Sequence, residues 1–375
     1  MKRRQFVTIA GAASLGAALP TGLARAQPAA SGRASGPVLG CQRAPTTLQR
    51  LQHFKRHGVD HICGYPEDRA DPASWTVDSL SALRERCAAQ GVSLDMVEFP
   101  MLSSASIDTM TPQHDMNPRL VPGLGKAIML GKDPERQREV EFVQTIIRNC
   151  ARAGIPAVKY NMNLIGVLRT ADTPGRGGTR RSTWKLADAK EDPPLTAAGV
   201  VSADTAWERI TWFLERVVPV ATEHKVRLAC HPHDPGVPPR GFRGVVRVLG
   251  TVEGMKRFVD IAPSPYHGLN LCLGSTAEML QDPNREIHDV IRYFGERQKI
   301  FNIHFRNIRG RRDDFQETFP DEGDMDMAAV MRTLKQVGYQ HMVMPDHMPR
   351  HADDPQGDQA FAFGYGYIKA LLQAV

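Results

Sequence analysis

Long apolar runs are missing from this 375-residue chain, and no stretch is long and apolar enough to cross a bilayer, so no membrane span is expected. Cysteine is sparse, at six residues, which excludes a disulfide scaffold. No Gly-rich phosphate loop follows an early strand, which argues against an open nucleotide-binding sheet. Acidic residues are absent from the first 26 positions, although the whole chain has 41. The same positions hold Lys2, Arg3, Arg4 and Arg25, so four of the six units of net positive charge sit there. The remainder is nearly neutral, which removes the argument for a nucleic-acid partner. Basic residues elsewhere are scattered, and RGRR (309–312) runs at once into Asp313 and Asp314 and later into the acidic PDEGD (320–324), the pattern of a solvated loop. With 42% hydrophobic and 23% charged residues the chain is neither disordered nor fibrous.

The first 26 residues have the three parts of an export signal: KRRQFVT, a weakly apolar stretch from Ile9 to Leu19, and Ala24-Arg25-Ala26 before Gln27. Arg3-Arg4 followed by Phe6 resembles a twin-arginine signal, which implies the twin-arginine export machinery, export in the folded state and a periplasmic location. A Pro/Ala/Ser/Gly linker covers residues 27–36, and residues 37–375 read as one domain.

From Val38 onward short apolar runs alternate with amphipathic segments. Strands are predicted at Val38 to Cys41, Asp60 to Gly64, Ser93 to Phe99, Ala157 to Asn161, Val226 to Cys230, Gly268 to Leu273, Ile300 to Phe305 and His341 to Met344. Helices are predicted at Leu48 to His57, Val77 to Gln90, Pro134 to Ala153, Ala206 to His224, Val252 to Ile261, Pro283 to Gln298, Met327 to Val337 and Asp358 to Ala374. Asp133-Pro134 and Asp282-Pro283 read as N-caps with proline at the first helical position, and Thr205 with Glu208 reads as a capping box. Strand followed by helix throughout argues for an α/β fold of the (β/α)8 TIM barrel kind. Two connections, Pro100 to Asp133 and Met162 to Asp204, are long enough to be lids.

In such a barrel the reactive residues stand at the C-terminal ends of the strands. Strand five ends in CHPHDP (230–235), strand six in Asn270-Leu271-Cys272, strand seven in Asn302-Ile303-His304 and strand eight in Pro345-Asp346-His347. One ligand type per consecutive strand end suits a divalent-metal site of His231, Cys272, His304 and Asp346. A soft sulfur beside hard oxygen leaves manganese, iron, cobalt and zinc open.

HPHDP (231–235), GLNLCLGS (268–275), NIHFRNI (302–308) and MPDH (344–347), in this order, with NCARAGIPAVKYNMNLIGVLRT (149–170) before them, resemble the mannonate dehydratase family over most of the chain. The resemblance implies a xylose-isomerase-like barrel and a manganese-dependent hydro-lyase of glucuronate catabolism, converting D-mannonate to 2-keto-3-deoxy-D-gluconate and water. It implies His231, Cys272, His304 and Asp346 as ligands of Mn2+, with Fe2+, Co2+ or Zn2+ as other occupants. It implies His347 as a catalytic residue and Tyr365 as its acid/base partner, with Tyr367 as the competing position. Arg306, Arg169, Lys159 and His233 are the expected contacts of a sugar-acid substrate. A homo-oligomer is a further expectation. Three segments depart from the family pattern: NLIGVLRT (163–170), where the family carries an Asp-Trp pair before Arg-Thr, GYPEDR (64–69) and VEFPMLSS (97–104). Such loops would shape the substrate pocket, so a metal-dependent isomerase or epimerase acting on a related sugar is the alternative, and a sugar-binding protein without turnover is a third. Cys272 is expected on the metal and the other cysteines buried and reduced, with Cys41 and Cys63, on adjacent strands, the first pair to test for a disulfide.

Overall fold

A strand covered on both faces cannot alternate polar and apolar residues, and the short apolar runs of this chain are such strands. In the computed structural model, which describes residues 36–69, 71–100, 126–190 and 198–375, they are β1 (Val38–Cys41), β2 (His61–Gly64), β3 (Ser93–Glu98), β4 (Ala157–Asn161), β5 (Arg227–His231), β6 (His267–Cys272), β7 (Ile300–His304) and β8 (Met342–Met344). Neighbours pair in parallel, and β1 closes on β8 through Val38–Met342 and Leu39–Val343. The barrel helices are α1 (Leu48–Arg56), α2 (Val77–Ala89), α3 (Glu135–Arg152), α4 (Ala203–Glu223), α5 (Val252–Asp260), α6 (Pro283–Glu296), α7 (Met327–Gln336) and α8 (Asp358–Ala374). This is the expected (β/α)8 barrel. The export signal read over residues 1–26 and the linker up to residue 35 lie outside the described residues.

Alternate strand residues fill two layers. Cys63, Met96, Ala157, Ala229, Phe301, Met342 and Met344 pack inside the barrel. Space there is short: a Cβ on Gly40 would lie 2.8 Å from that of Met342. Leu39, Cys41, Leu228, Cys230, Leu271 and Ile303 belong to the larger layer between strands and helices.

Local chemistry sets most helix ends. Asp282 caps α6, accepting from the Arg285 amide ahead of Pro283, as expected. At α3 the expectation fails, because Asp133 makes no cap and the helix begins after Pro134. At α4 Ser202, three residues upstream of the expected cap, accepts from the Thr205 amide, so Thr205 lies inside the first turn and is not the cap. Gly154, at φ 76°, ends α3 in the left-handed region where a side chain would be strained.

Two segments read as loops are ordered into sheet. Asn307–Arg311 and Asp314–Thr318 form an antiparallel hairpin, so RGRR and the acidic residues after it are strand and turn rather than solvated loop. Thr183–Lys185, from the connection read as a lid, adds to the hairpin as a third strand. The apolar side chains that hold this small sheet down are Trp184, Ile308 and Phe315, all buried.

Candidate metal centre and active site

Register brings the strand ends level: His304 pairs with Cys272 on one side and with Met344 on the other, and His231 ends β5 opposite Asn161. His231, Cys272, His304 and Asp346 converge there, with one ligand atom of each within 4.8 Å of the others. His231 donates from Nδ1 to the Pro232 carbonyl at 2.7 Å, which leaves Nε2 with its lone pair. His304 Nδ1 is buried without a hydrogen bond, 3.3 Å from Asp346 Oδ1, and Cys272 Sγ stands 3.6 Å from Asp346 Oδ2. Burial lowers both imidazoles from their ordinary range, for His231 helped by His304 and Lys159, so both are neutral and able to ligate. Burial alone would raise Asp346, but His304 and His347 outweigh it and keep the carboxylate ionised. Burial pushes the Cys272 thiol up; a divalent cation beside it would reverse that by binding the thiolate. An unpartnered imidazole nitrogen facing a carboxylate and a thiol is the donor set that suits a divalent cation.

Beside this cluster lies a buried ionic floor. Arg306, with no exposed side-chain surface, is 2.9 Å from Asp234, 3.0 Å from Glu317 and 2.7 Å from Glu278. Arg169 is 2.7 Å from Asp234 and also bonds Glu317. Burial raises every carboxyl here. The two guanidiniums overcome it at Asp234 and Glu317, which stay ionised, whereas burial and the Asp234 charge push Glu278 well above its ordinary range. Two cations thus face two anions and a third, protonated carboxyl. His347 stands on this floor with Nδ1 2.9 Å from Glu317 Oε1 and 2.8 Å from Arg306 Nη1. Only Glu317 can accept, so it takes the Nδ1 proton, and Nε2 has no hydrogen-bond partner among the described residues. The imidazole is 40% exposed, which opens it to the barrel mouth. Burial would lower its pKa, but Glu317 and Asp346 raise it.

The expected substrate contacts are placed otherwise. Arg306 and Arg169 are spent on the floor just described. Lys159, inside the barrel, is 2.8 Å from Glu98, which also bonds Arg69. His233 is buried with Nε2 3.0 Å from the Met162 carbonyl and Nδ1 accepting from the Leu249 amide. All four side chains are buried and engaged with groups of the protein itself. Tyr365 is wholly buried on α8, and its hydroxyl meets Cys41 Sγ at 2.9 Å in the layer between helix and barrel. Tyr367, half-buried on the same helix, stacks on Phe363. Cys41 faces that outer layer while Cys63 faces the barrel interior, so the two thiols do not meet, and all six cysteines are free and buried.

Sequence reasoning passed over Glu317, Asp234, Glu278, Gln42 and Tyr65. Asp234 lies within the HPHDP motif. Glu317 was hidden in the alternation Phe315, Glu317 of a strand read as loop. Gln42, just past β1, has Oε1 3.3 Å from His304 Nε2 and donates from Nε2 to the Tyr65 hydroxyl at 2.8 Å.

A parallel (β/α)8 barrel whose rim gathers two imidazoles, a thiol and a carboxylate is a xylose-isomerase-like barrel with the donors of a divalent-metal enzyme. A xylose isomerase domain protein from Planctomyces limnophilus, 14% identical, shares the fold at TM-score 0.56 over 91% of this chain and 99% of its own. A mannonate dehydratase of Thermotoga neapolitana is 27% identical over 88% of this chain and 94% of its own length. The crystal structure of mannonate dehydratase from Streptococcus suis serotype 2 matches at TM-score 0.72 and 26% identity, covering 91% of this chain and 94% of that one. The D-mannonate dehydratase (UxuA) family model matches residues 185–375. The chain belongs to the D-mannonate dehydratase family, hydro-lyases that depend on a divalent metal.

Proposed function

We propose that this protein removes water from D-mannonate to give 2-keto-3-deoxy-D-gluconate, with Mn2+ held by His231, Cys272, His304 and Asp346. The observation that carries the reading is the convergence of those four donors on one rim, with His347 adjacent. A divalent cation bound there would supply Lewis-acid stabilisation of the negative charge that develops at the substrate carboxylate. His347 takes the C2 proton at Nε2, while its Nδ1–H stays on Glu317, whose charge stabilises the imidazolium. Arg306 and Arg169 hold Glu317 in place. The C2–H electrons form a C2–C3 double bond as the C3 hydroxyl leaves with a proton as water, and the resulting enol becomes the ketone by taking a proton at C3 and releasing its C2 hydroxyl proton to solvent. The N-terminal twin arginines support export and a periplasmic site of action, which cell fractionation of the full chain reads directly. Protein loaded in turn with Mn2+, Fe2+, Co2+ and Zn2+ and given D-mannonate should yield a product lighter by one water, fastest with Mn2+. A product of unchanged mass would move the reading to isomerisation or epimerisation.

A further inference from the structure

Elimination of a hydroxyl needs an acid as well as a base, because hydroxide is a poor leaving group, and one imidazole holding the C2 proton does not also protonate C3–OH in the same step. The Tyr365 hydroxyl is engaged by Cys41 Sγ at 2.9 Å in the layer between helix and barrel. The geometry points to Tyr65 as the residue that donates a proton to the departing hydroxyl, a role that rests on the dehydratase reading above. Tyr65 follows β2 directly, and β1 separates β2 from β8, so the phenol and His347 flank the mouth with Gln42 between them. Gln42 donates to the Tyr65 oxygen at 2.8 Å, so that contact leaves the phenol's own proton uncommitted. The other end of the same carboxamide is 3.3 Å from His304, which sets the phenol one side chain away from the metal cluster. The backbone of Tyr65 is held by its amide, which donates to Thr46 Oγ1 at 2.8 Å, and the Arg69 guanidinium lies 4.7 Å from the ring centre. Burial and the neighbouring Glu98 and Cys63 hold the phenol above its ordinary range, so it is protonated at neutral pH. Of the seven tyrosines, Tyr160 and Tyr365 lie in the outer layer and Tyr339 donates to the Met342 carbonyl. The GYPEDR segment that departs from the family pattern thus acquires a use.

The step balances. The Tyr65 O–H bond breaks as C3–O breaks, water leaves, and the phenolate and the His347 imidazolium return to their starting states by proton exchange with solvent at the rim. Tyr65→Phe removes one oxygen and tests this on the full metal-loaded chain. With D-mannonate, kcat should fall about 100-fold or more, with metal content unchanged. With 3-deoxy-3-fluoro-D-mannonate, whose fluoride leaves without a proton, fluoride release should stay within about threefold of the parent, since the lost acid is not needed. Equal losses on both substrates, or a D-mannonate kcat close to the parent's, would overturn the role of Tyr65 alone. A parent protein that holds metal and leaves D-mannonate untouched would overturn the dehydratase reading and this role with it.

Discussion

Arg306 lies two residues past His304 and reads from the sequence as a clamp for a substrate carboxylate. The chemistry was anticipated and the partner was not. The carboxylates it holds come from the chain itself, from Asp234, Glu278 and Glu317, on three separate segments that no local spacing connects. Removing a partner from a buried ionic group strands charge of the opposite sign at a cost of about 3–5 kcal/mol. Arg306→Met should therefore lower the urea midpoint severely, and Arg306→Lys should recover little, because an ammonium cannot reach three carboxylates with a planar fork. A midpoint for Arg306→Met equal to the parent's would show that Arg306 is not holding the floor. The candidate metal donors, by contrast, can be read one by one, since each ends or closely follows a strand whose position the apolar runs define.

At the scale of elements, barrel strands came out within a residue of expectation because burial on both faces leaves an uninterrupted apolar signal. The hairpin of Asn307–Arg311 and Asp314–Thr318 was missed for the opposite reason: one face is solvated, and arginine and aspartate dominate it. That miss carried Glu317 with it, and so the partner of His347. Asn307 anchors the hairpin, donating to the carbonyls of Pro320 and Met325 and accepting from the Ile308 and Met325 amides. The placement of Tyr365 is a matter of helix geometry. The closing GYG segment is helical, and the face of α8 that carries Tyr365 packs onto β1, turning the phenol toward Cys41, whose thiol burial pushes up to about 12.

For the molecule as a whole, buried neutral histidines tie stability to pH. His267, at the start of β6 and away from the rim, has Nε2 2.9 Å from the Phe258 carbonyl, and burial lowers its pKa from 6.5 to about 4. Between those values the unfolded chain binds a proton that the fold refuses, so stability falls as pH drops across this window, by roughly 3 kcal/mol from this residue. His233, lowered to about 3 by burial and by Arg247, adds in the same direction. Urea midpoints measured from pH 7 down to pH 4 should decline, and His267→Gln, which keeps a neutral donor, should decline less; equal slopes would exclude His267 as a source.

The central claim is that four strand ends hold one divalent ion, and metal analysis of the purified chain tests it most directly. The parent protein, dialysed after loading with Mn2+, should retain about one ion per chain, and Asp346→Ala and Cys272→Ala should each lose most of it, since removing a ligand weakens binding by at least the 10–100-fold seen for outer-shell partners. Full retention of metal by both variants would contradict the site.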